Sequence, residues 1–153
     1  MKITDILVGD AVILDVESES KSALLEEMAG ALAAAVTGLE KDRLLKVLTE
    51  REALQSTGIG EGVAIPHGKV AGLDGLVASF ARSRSGIDFE AIDQQPTHLF
   101  FLLVVPEHSG GQHLKALARI SRFLRDAEFR QCLLEAKDRE SIFAAIEEED
   151  GKF

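Results

Sequence analysis

The residues with chemistry in reach are four histidines, a run of glycines and one cysteine. His67 stands in "TGIGEGVAIPHGK" (57–69), where Gly58, Gly60 and Gly62 alternate and Pro66 immediately precedes the histidine. Glycines at that spacing allow positive φ and a close approach to a ligand, and successive N–H groups in such a turn can form a concavity for an anion. Proline fixes its own φ and restricts Ile65, so the stretch predicts an imidazole on a stiff support at the mouth of a loop. With a reference pKa of about 6.5, that ring is mostly neutral at pH 7 and offers a free lone pair. A neutral imidazole beside an anion-binding loop can take up a phosphoryl group. Because a P–N bond is readily transferred again, whereas a phosphate ester tends to be an end point, that chemistry is a relay. A histidine that only caps or fills a turn accounts for the same residue types.

Counting excludes two other phosphate loops. A Walker A loop needs four residues between its glycine and the Gly-Lys pair, followed by Ser or Thr; here five residues separate Gly62 from Gly68, and Lys69 is followed by Val70. A dinucleotide loop needs G-x-G-x-x-G after a strand, whereas Gly58, Gly60 and Gly62 give G-x-G-x-G after a predicted helix. His67, His98, His108 and His113 include no H-x-x-x-H pair, and Cys132 has no cysteine partner, so no metal site is expected. His98 and His108 could still border the cleft that holds His67.

The elements that must position this loop follow from periodicity. A helix is predicted over 20–36, capped by Ser20 and stopped at Gly38, with Leu24, Leu25, Met28, Leu32 and Ala35 on its apolar face. A second, over about 40–54, carries Leu44, Leu45, Leu48 and Ala53 and ends where the glycines begin. Residues 11–16, "AVILDV", read as a short β-branched strand, 75–83 as a half-buried strand, and "LFFLLVV" (99–105) as a central strand covered on both faces. A helix over 110–126 places Leu114, Leu117, Ala118 and Leu124 on one side, and Asp126 and Asp138 cap helices near 127–136 and 139–148. Interleaved helices and strands predict a sheet with helices packed on it. The acidic tail "EEEDGKF", from about 147, is expected to be frayed and solvated.

At 153 residues, one domain spanning 1–153 is expected, and 46% hydrophobic with 28% charged residues excludes disorder. A formal charge of −9 argues against a basic nucleic-acid face, although Lys115, Arg119 and Arg122 share one predicted helix face that is either solvated or a docking stripe. The longest apolar run, Leu99 to Val105, is far short of the roughly 20 residues needed to cross a bilayer, so no membrane insertion is expected. A lone cysteine and an N-terminus without signal-peptide character predict a cytoplasmic protein.

"STGIGEGVAIPHGK" (56–69), with "LTEREAL" (48–54) upstream and "IDFEAIDQQPTHLFFLLVVPEHSGGQHLKAL" (87–117) downstream, resembles the enzyme IIA domains of the bacterial phosphotransferase system, in the fructose, mannitol and nitrogen-regulatory class. The nitrogen-type stand-alone members are most similar. The resemblance implies an α/β three-layer sandwich with a mixed five-stranded sheet flanked by helices. It also implies that His67 accepts a phosphoryl group from the phosphohistidine of HPr or its nitrogen-branch counterpart, then passes it to an enzyme IIB or holds it as a signal. His113 matches the family's second histidine, which hydrogen-bonds the phosphoryl oxygens, and Arg51 its arginine, with loop amides assisting and neither metal nor nucleotide required. From the residues alone, Arg51 would pair with Glu50 or Asp42, and His113 would be a surface residue. Glu61 could tune His67 or meet a partner. A purely regulatory module, whose partners depend on His67 phosphorylation without sugar transport, is the alternative reading.

Overall fold

The ten residues Thr97–Pro106 (β5) send alternate side chains into two separate apolar clusters, and this dictates the architecture. Leu99, Phe101, Leu103 and Val105 enter one cluster; Phe100, Leu102 and Val104 enter the other. A strand apolar on both faces must be covered on both. The computed structural model describes residues 1–153. In it, β5 is the central strand of a mixed five-stranded sheet. Along one edge it pairs in parallel, first with Val63–Ala64 (β2), then with His67–Val70 (β3). Along the other edge it pairs antiparallel with Val77–Ile87 (β4). Gly58–Gly60 (β1) pairs antiparallel with β2.

Six helices cover this sheet. On one face lie Lys21–Ala35 (α2) and Lys41–Leu54 (α3), which contribute Leu24, Leu25, Met28, Leu32, Leu44 and Leu48. On the other lie Ile3–Ile6 (α1), Gln112–Arg125 (α4), Ala127–Glu135 (α5) and Arg139–Lys152 (α6). The result is the expected three-layer α/β sandwich. Edge-on aromatic pairs, Phe80 with Phe101 at 5.1 Å and Phe89 with Phe100 at 5.3 Å, fill the two sides of the sheet. Ser20, Asp126 and Asp138 cap their helices as predicted, each accepting from backbone N–H groups of the following turn. None of the helices is long and apolar enough to cross a membrane.

Four expectations need correction. Residues 11–16 form no strand: a 3-10 turn covers Gly9–Ala11, and the extended segment after it touches β4 through the isolated bridge Ile13–Ala81 and a Val16 N–H bond to the Arg82 carbonyl (2.8 Å). Its pattern is nonetheless that of a sheet edge, since Ala11 and Val12 enter opposite clusters. β4 is buried on both faces, not half-buried, with Ala78 and Phe80 on one side and Ala81 on the other. The buried face of α4 is Ala116, Ile120, Phe123 and Leu124, while Leu114 is 62% exposed. The tail is not frayed. α6 continues to Lys152, and buried Asp150 accepts the N–H groups of Ile3 (2.9 Å) and Thr4 (3.0 Å) and pairs with Arg119 at 3.0 Å. Those bonds tie the last turn of the chain to its first helix.

Candidate functional site

The glycine run folds as a hairpin between β1 and β2. Glu61 (φ 58°) and Gly62 (φ 75°) make its two-residue turn, a positive-φ pair that matches the right-handed twist of the flanking strands. Two of its amides already have protein acceptors: Gly58 N–H donates to Ser56 Oγ (3.0 Å) and Glu61 N–H to an Asp93 carboxylate oxygen (3.2 Å). Two of the expected loop amides are therefore already engaged within the protein. What the hairpin does is deliver the chain onto the edge of β5.

There it pairs as β2, breaks at Ile65 and Pro66, and resumes as β3 with His67 opposite Leu103. Proline has no N–H to give to a ladder, so a break there is built in. The Pro66 carbonyl still accepts from Leu103 N at 2.9 Å, which keeps the break in register. Gly68 continues the strand directly beneath α3. A Cβ at Gly68 would lie 2.5 Å from Val47 Cγ1, so glycine lets α3, the helix of Arg51, lie against the strand of His67.

His67 is half-buried. Its Nδ1 lies 2.8 Å from the Ile65 carbonyl oxygen; a carbonyl only accepts, so Nδ1 carries the proton. In the neutral ring Nε2 then holds the free lone pair. Burial lowers the pKa of His67 below its usual value. The Ile65 hydrogen bond and the negative charge of Glu52 pull it up, while the positive charges of Arg51 and His113 push it down. The ring is thus held neutral at pH 7. Arg51 and His113, from different helices, both lie close enough for their charges to act on His67.

Arg51 pairs with neither Glu50 nor Asp42. Its Nη1 donates to the Gln55 carbonyl at 2.8 Å, which curls the guanidinium over the end of α3. His113 sits in the first turn of α4 with Nδ1 3.0 Å from the Gly110 carbonyl, so its Nε2 also points away from its own loop. Beside each stands an exposed leucine, Leu54 (83%) at the end of α3 and Leu114 (62%) next to His113.

Other candidates lie elsewhere. His98, five residues back along β5 and so about 16 Å from the His67 register, bonds the Ser83 carbonyl through Nδ1 at 2.9 Å. His108 is exposed in the turn before α4. Glu61 faces Arg130 at 3.8 Å, beside a cleft of about 580 Å³ between the hairpin, α4 and α5 that contains none of His67, Arg51 and His113. The Lys115, Arg119 and Arg122 stripe is partly occupied, with Arg119 held by Asp150 and Arg122 stacked 4.1 Å over Phe153. The residue that sequence reasoning missed is Glu52. It is buried beside Arg51, pairs with Lys21 at 3.0 Å and accepts from Thr57 N at 3.0 Å and from Thr57 Oγ1. The signal was its place in the α3 stripe, Leu44, Leu48, Glu52, where an apolar residue is expected.

The site thus gathers a half-buried imidazole with its lone pair on Nε2, a guanidinium from α3 and a second imidazole from α4. The chain belongs to the family described as "Phosphoenolpyruvate-dependent sugar phosphotransferase system, EIIA 2", whose profile matches residues 5–149. It is 43% identical over 146 residues to a nitrogen regulatory protein of Bradyrhizobium diazoefficiens, covering 95% of each chain. It is 38% identical over 150 residues to the fructose-specific EIIABC component of Bacillus subtilis, covering 98% of this chain and 24% of that longer one. The crystal structure of nitrogen regulatory protein IIA-Ntr from Neisseria meningitidis superposes with a TM-score of 0.88 at 35% identity, covering 94% of this chain and 98% of that one.

Proposed function

We propose that residues 1–153 act as one enzyme IIA domain in which His67 Nε2 accepts a phosphoryl group and releases it again. The family consists of phosphotransferases, and a phosphoryl relay or a regulatory use of one is what its members share. The donor in this reading is the phosphohistidine of HPr or of its nitrogen-branch counterpart. The acceptor is an enzyme IIB, or the phosphorylated state is itself the signal. End-to-end similarity to nitrogen regulatory proteins supports the signalling output. The observation that carries the reading is the Nδ1–H bond to Ile65, which fixes one tautomer and leaves Nε2 the nucleophile.

In the transfer, the Nε2–P bond forms as the carrier's N–P bond breaks, in line, and each ring keeps the proton on its other nitrogen. No proton need move between the proteins. The ring of His67 gains positive charge as Nε2 commits its lone pair, and the Ile65 carbonyl stabilises that charge through Nδ1–H. Arg51 has N–H donors beyond the one given to Gln55, and a guanidinium suits the equatorial oxygens as charge spreads over them. His113 can donate from Nε2 only when its ring carries a second proton, because Nδ1–H is turned to Gly110. Leu54 and Leu114 provide the apolar contact on which the partner docks.

The test is incubation with phosphoenolpyruvate, enzyme I and the carrier, read by intact mass. Wild type gains one acid-labile, base-stable phosphoryl group and His67→Ala gains none. Equal labelling of the variant overturns the assignment.

A further inference from the structure

The His67 tautomer is the end of a longer chain of hydrogen bonds. His67 Nδ1–H donates to the Ile65 carbonyl (2.8 Å), and Ile65 N–H donates to the Thr57 carbonyl (3.1 Å). Thr57 N–H in turn donates to Glu52 Oε1 (3.0 Å), while the Thr57 hydroxyl donates to Glu52 Oε2. Lys21 Nζ closes the chain at 3.0 Å from Glu52 Oε1, with its ammonium 4.8 Å from the centre of the Phe89 ring. Every link lies between buried or half-buried residues. Each residue along this path is held through both its N–H and its C=O, so fixing Thr57 at Glu52 fixes the backbone of Ile65 and with it the direction of the carbonyl that meets His67. Glu52 is also the neighbour of Arg51, whose guanidinium is anchored to Gln55 within the same turn. One carboxylate thus governs both the helix end that carries Arg51 and the strand break that aims His67.

We propose that Glu52, set by Lys21 and Thr57, is a positioning residue for phosphoryl transfer at His67: through Thr57 and Ile65 it holds the imidazole in its Nδ1–H tautomer while keeping the end of α3 in place. This rests on the relay proposed above. A buried carboxylate that accepts two bonds from one threonine could instead be only a brace between α3 and β1. The two roles differ in what reaches His67. The charged groups that act on the ring are Arg51 and Glu52 from α3 and His113 from α4, and Glu52 is the single anion among them.

The test compares Glu52→Ala, Glu52→Gln and Thr57→Val with wild type. Ring 15N NMR gives the His67 tautomer and its titration, and single-turnover transfer from the phosphorylated carrier gives the rate. Glutamine keeps an oxygen for Thr57 N–H without the charge, so it retains the Nδ1–H tautomer and most of the rate, while the His67 titration moves to lower pH. Alanine removes the acceptors, mixes the tautomers and slows transfer by about tenfold or more, as loss of alignment does. Thr57→Val, which keeps Glu52 but not the hydroxyl bond, changes tautomer and rate in the same direction and less. Wild-type tautomer and rate in Glu52→Ala overturn the proposal, as does a glutamine variant no better than alanine. Should the alanine variant fail to fold, Thr57→Val decides, and wild-type behaviour there is equally fatal. The tautomer needs no phosphoryl donor, so a wild type that never becomes phosphorylated refutes the relay while still answering this question.

Discussion

One hydrogen bond at His67 leaves the free lone pair on Nε2, and burial, more than the neighbouring Arg51 charge, lowers the pKa of the ring. The pH behaviour follows with a definite sign. The folded-state pKa lies below 6.5, so the ring remains a nucleophile as pH falls past the point at which a free histidine is half protonated. We expect the His67 ring signals to titrate at lower pH than those of an unstructured histidine peptide, and acceptor capacity to decline only below that lower midpoint. A His67 midpoint above the peptide's contradicts the electrostatic account. In the proposed transfer Arg51 acts on the phosphoryl oxygens. Arg51→Ala is expected to slow single-turnover transfer by about 100-fold, the scale on which one charge-stabilising donor matters, with little change in thermal stability. Arg51→Lys restores part of the rate, since it returns charge without the fork. Equal rates in Arg51→Ala and wild type remove Arg51 from the mechanism.

Two elements must meet at a fixed distance for those side chains to work together, and Gly68 sets that distance. Because its missing Cβ would stand 2.5 Å from Val47 Cγ1, Gly68→Ala forces α3 away from β3. Overpacking of this kind costs about 1–3 kcal/mol, and here it also moves Arg51 relative to His67. The expected result is a lower midpoint in denaturant together with slower phosphoryl acceptance. Val47→Ala in the same chain should recover much of both, because it removes the atom that clashes. If the double variant is no better than Gly68→Ala alone, the close approach is not what matters at this position. Pro66 works on the same scale, interrupting the strand at the one point where His67 must turn its Nδ1 edge back to Ile65.

Over the whole molecule, the last helix closes the fold onto the first. Burial would raise the pKa of Asp150, but the hydrogen bonds from Thr4, Ile3 and Arg119 outweigh it and hold the carboxyl below its usual value. For a depressed carboxylate, the stabilisation is present above the unfolded pKa and is lost as pH falls through the folded one. Asp150→Ala strands a half-buried guanidinium and two N–H groups, and is expected to cost about 3 kcal/mol at pH 7. The deficit should shrink in acid as the wild-type carboxylate is protonated. Thermal melts of both proteins across pH 3 to 8 check it; parallel curves at all pH values mean that the carboxylate charge contributes nothing. Removing residues 148–153 should be as damaging, which a solvated tail would not predict.

The sequence by itself determined the five longer helices, though not the short α1, and the central strand, because their apolar periods, their Ser20, Asp126 and Asp138 caps and the run 99–105 are local facts that need no partner to be read. It also singled out His67, through proline and glycine chemistry written within thirteen residues, and the resemblance of the surrounding motifs supplied Arg51 and His113. Tertiary structure decided what depends on a distant acceptor or a distant wall. The tail is acidic and looks solvated until Ile3, Thr4 and Arg119 are brought to Asp150. Residues 11–16 look like a strand until the chain gives them an isolated bridge to β4 at Ala81 in place of a ladder. The glycine run looks like a row of free amides until Ser56 and Asp93 take two of them. Glu52 looks like one more charge on a helix until folding removes its water and leaves Lys21 and Thr57 in its place. Composition and period fix which faces seek burial; only the closed fold fixes which polar group meets which.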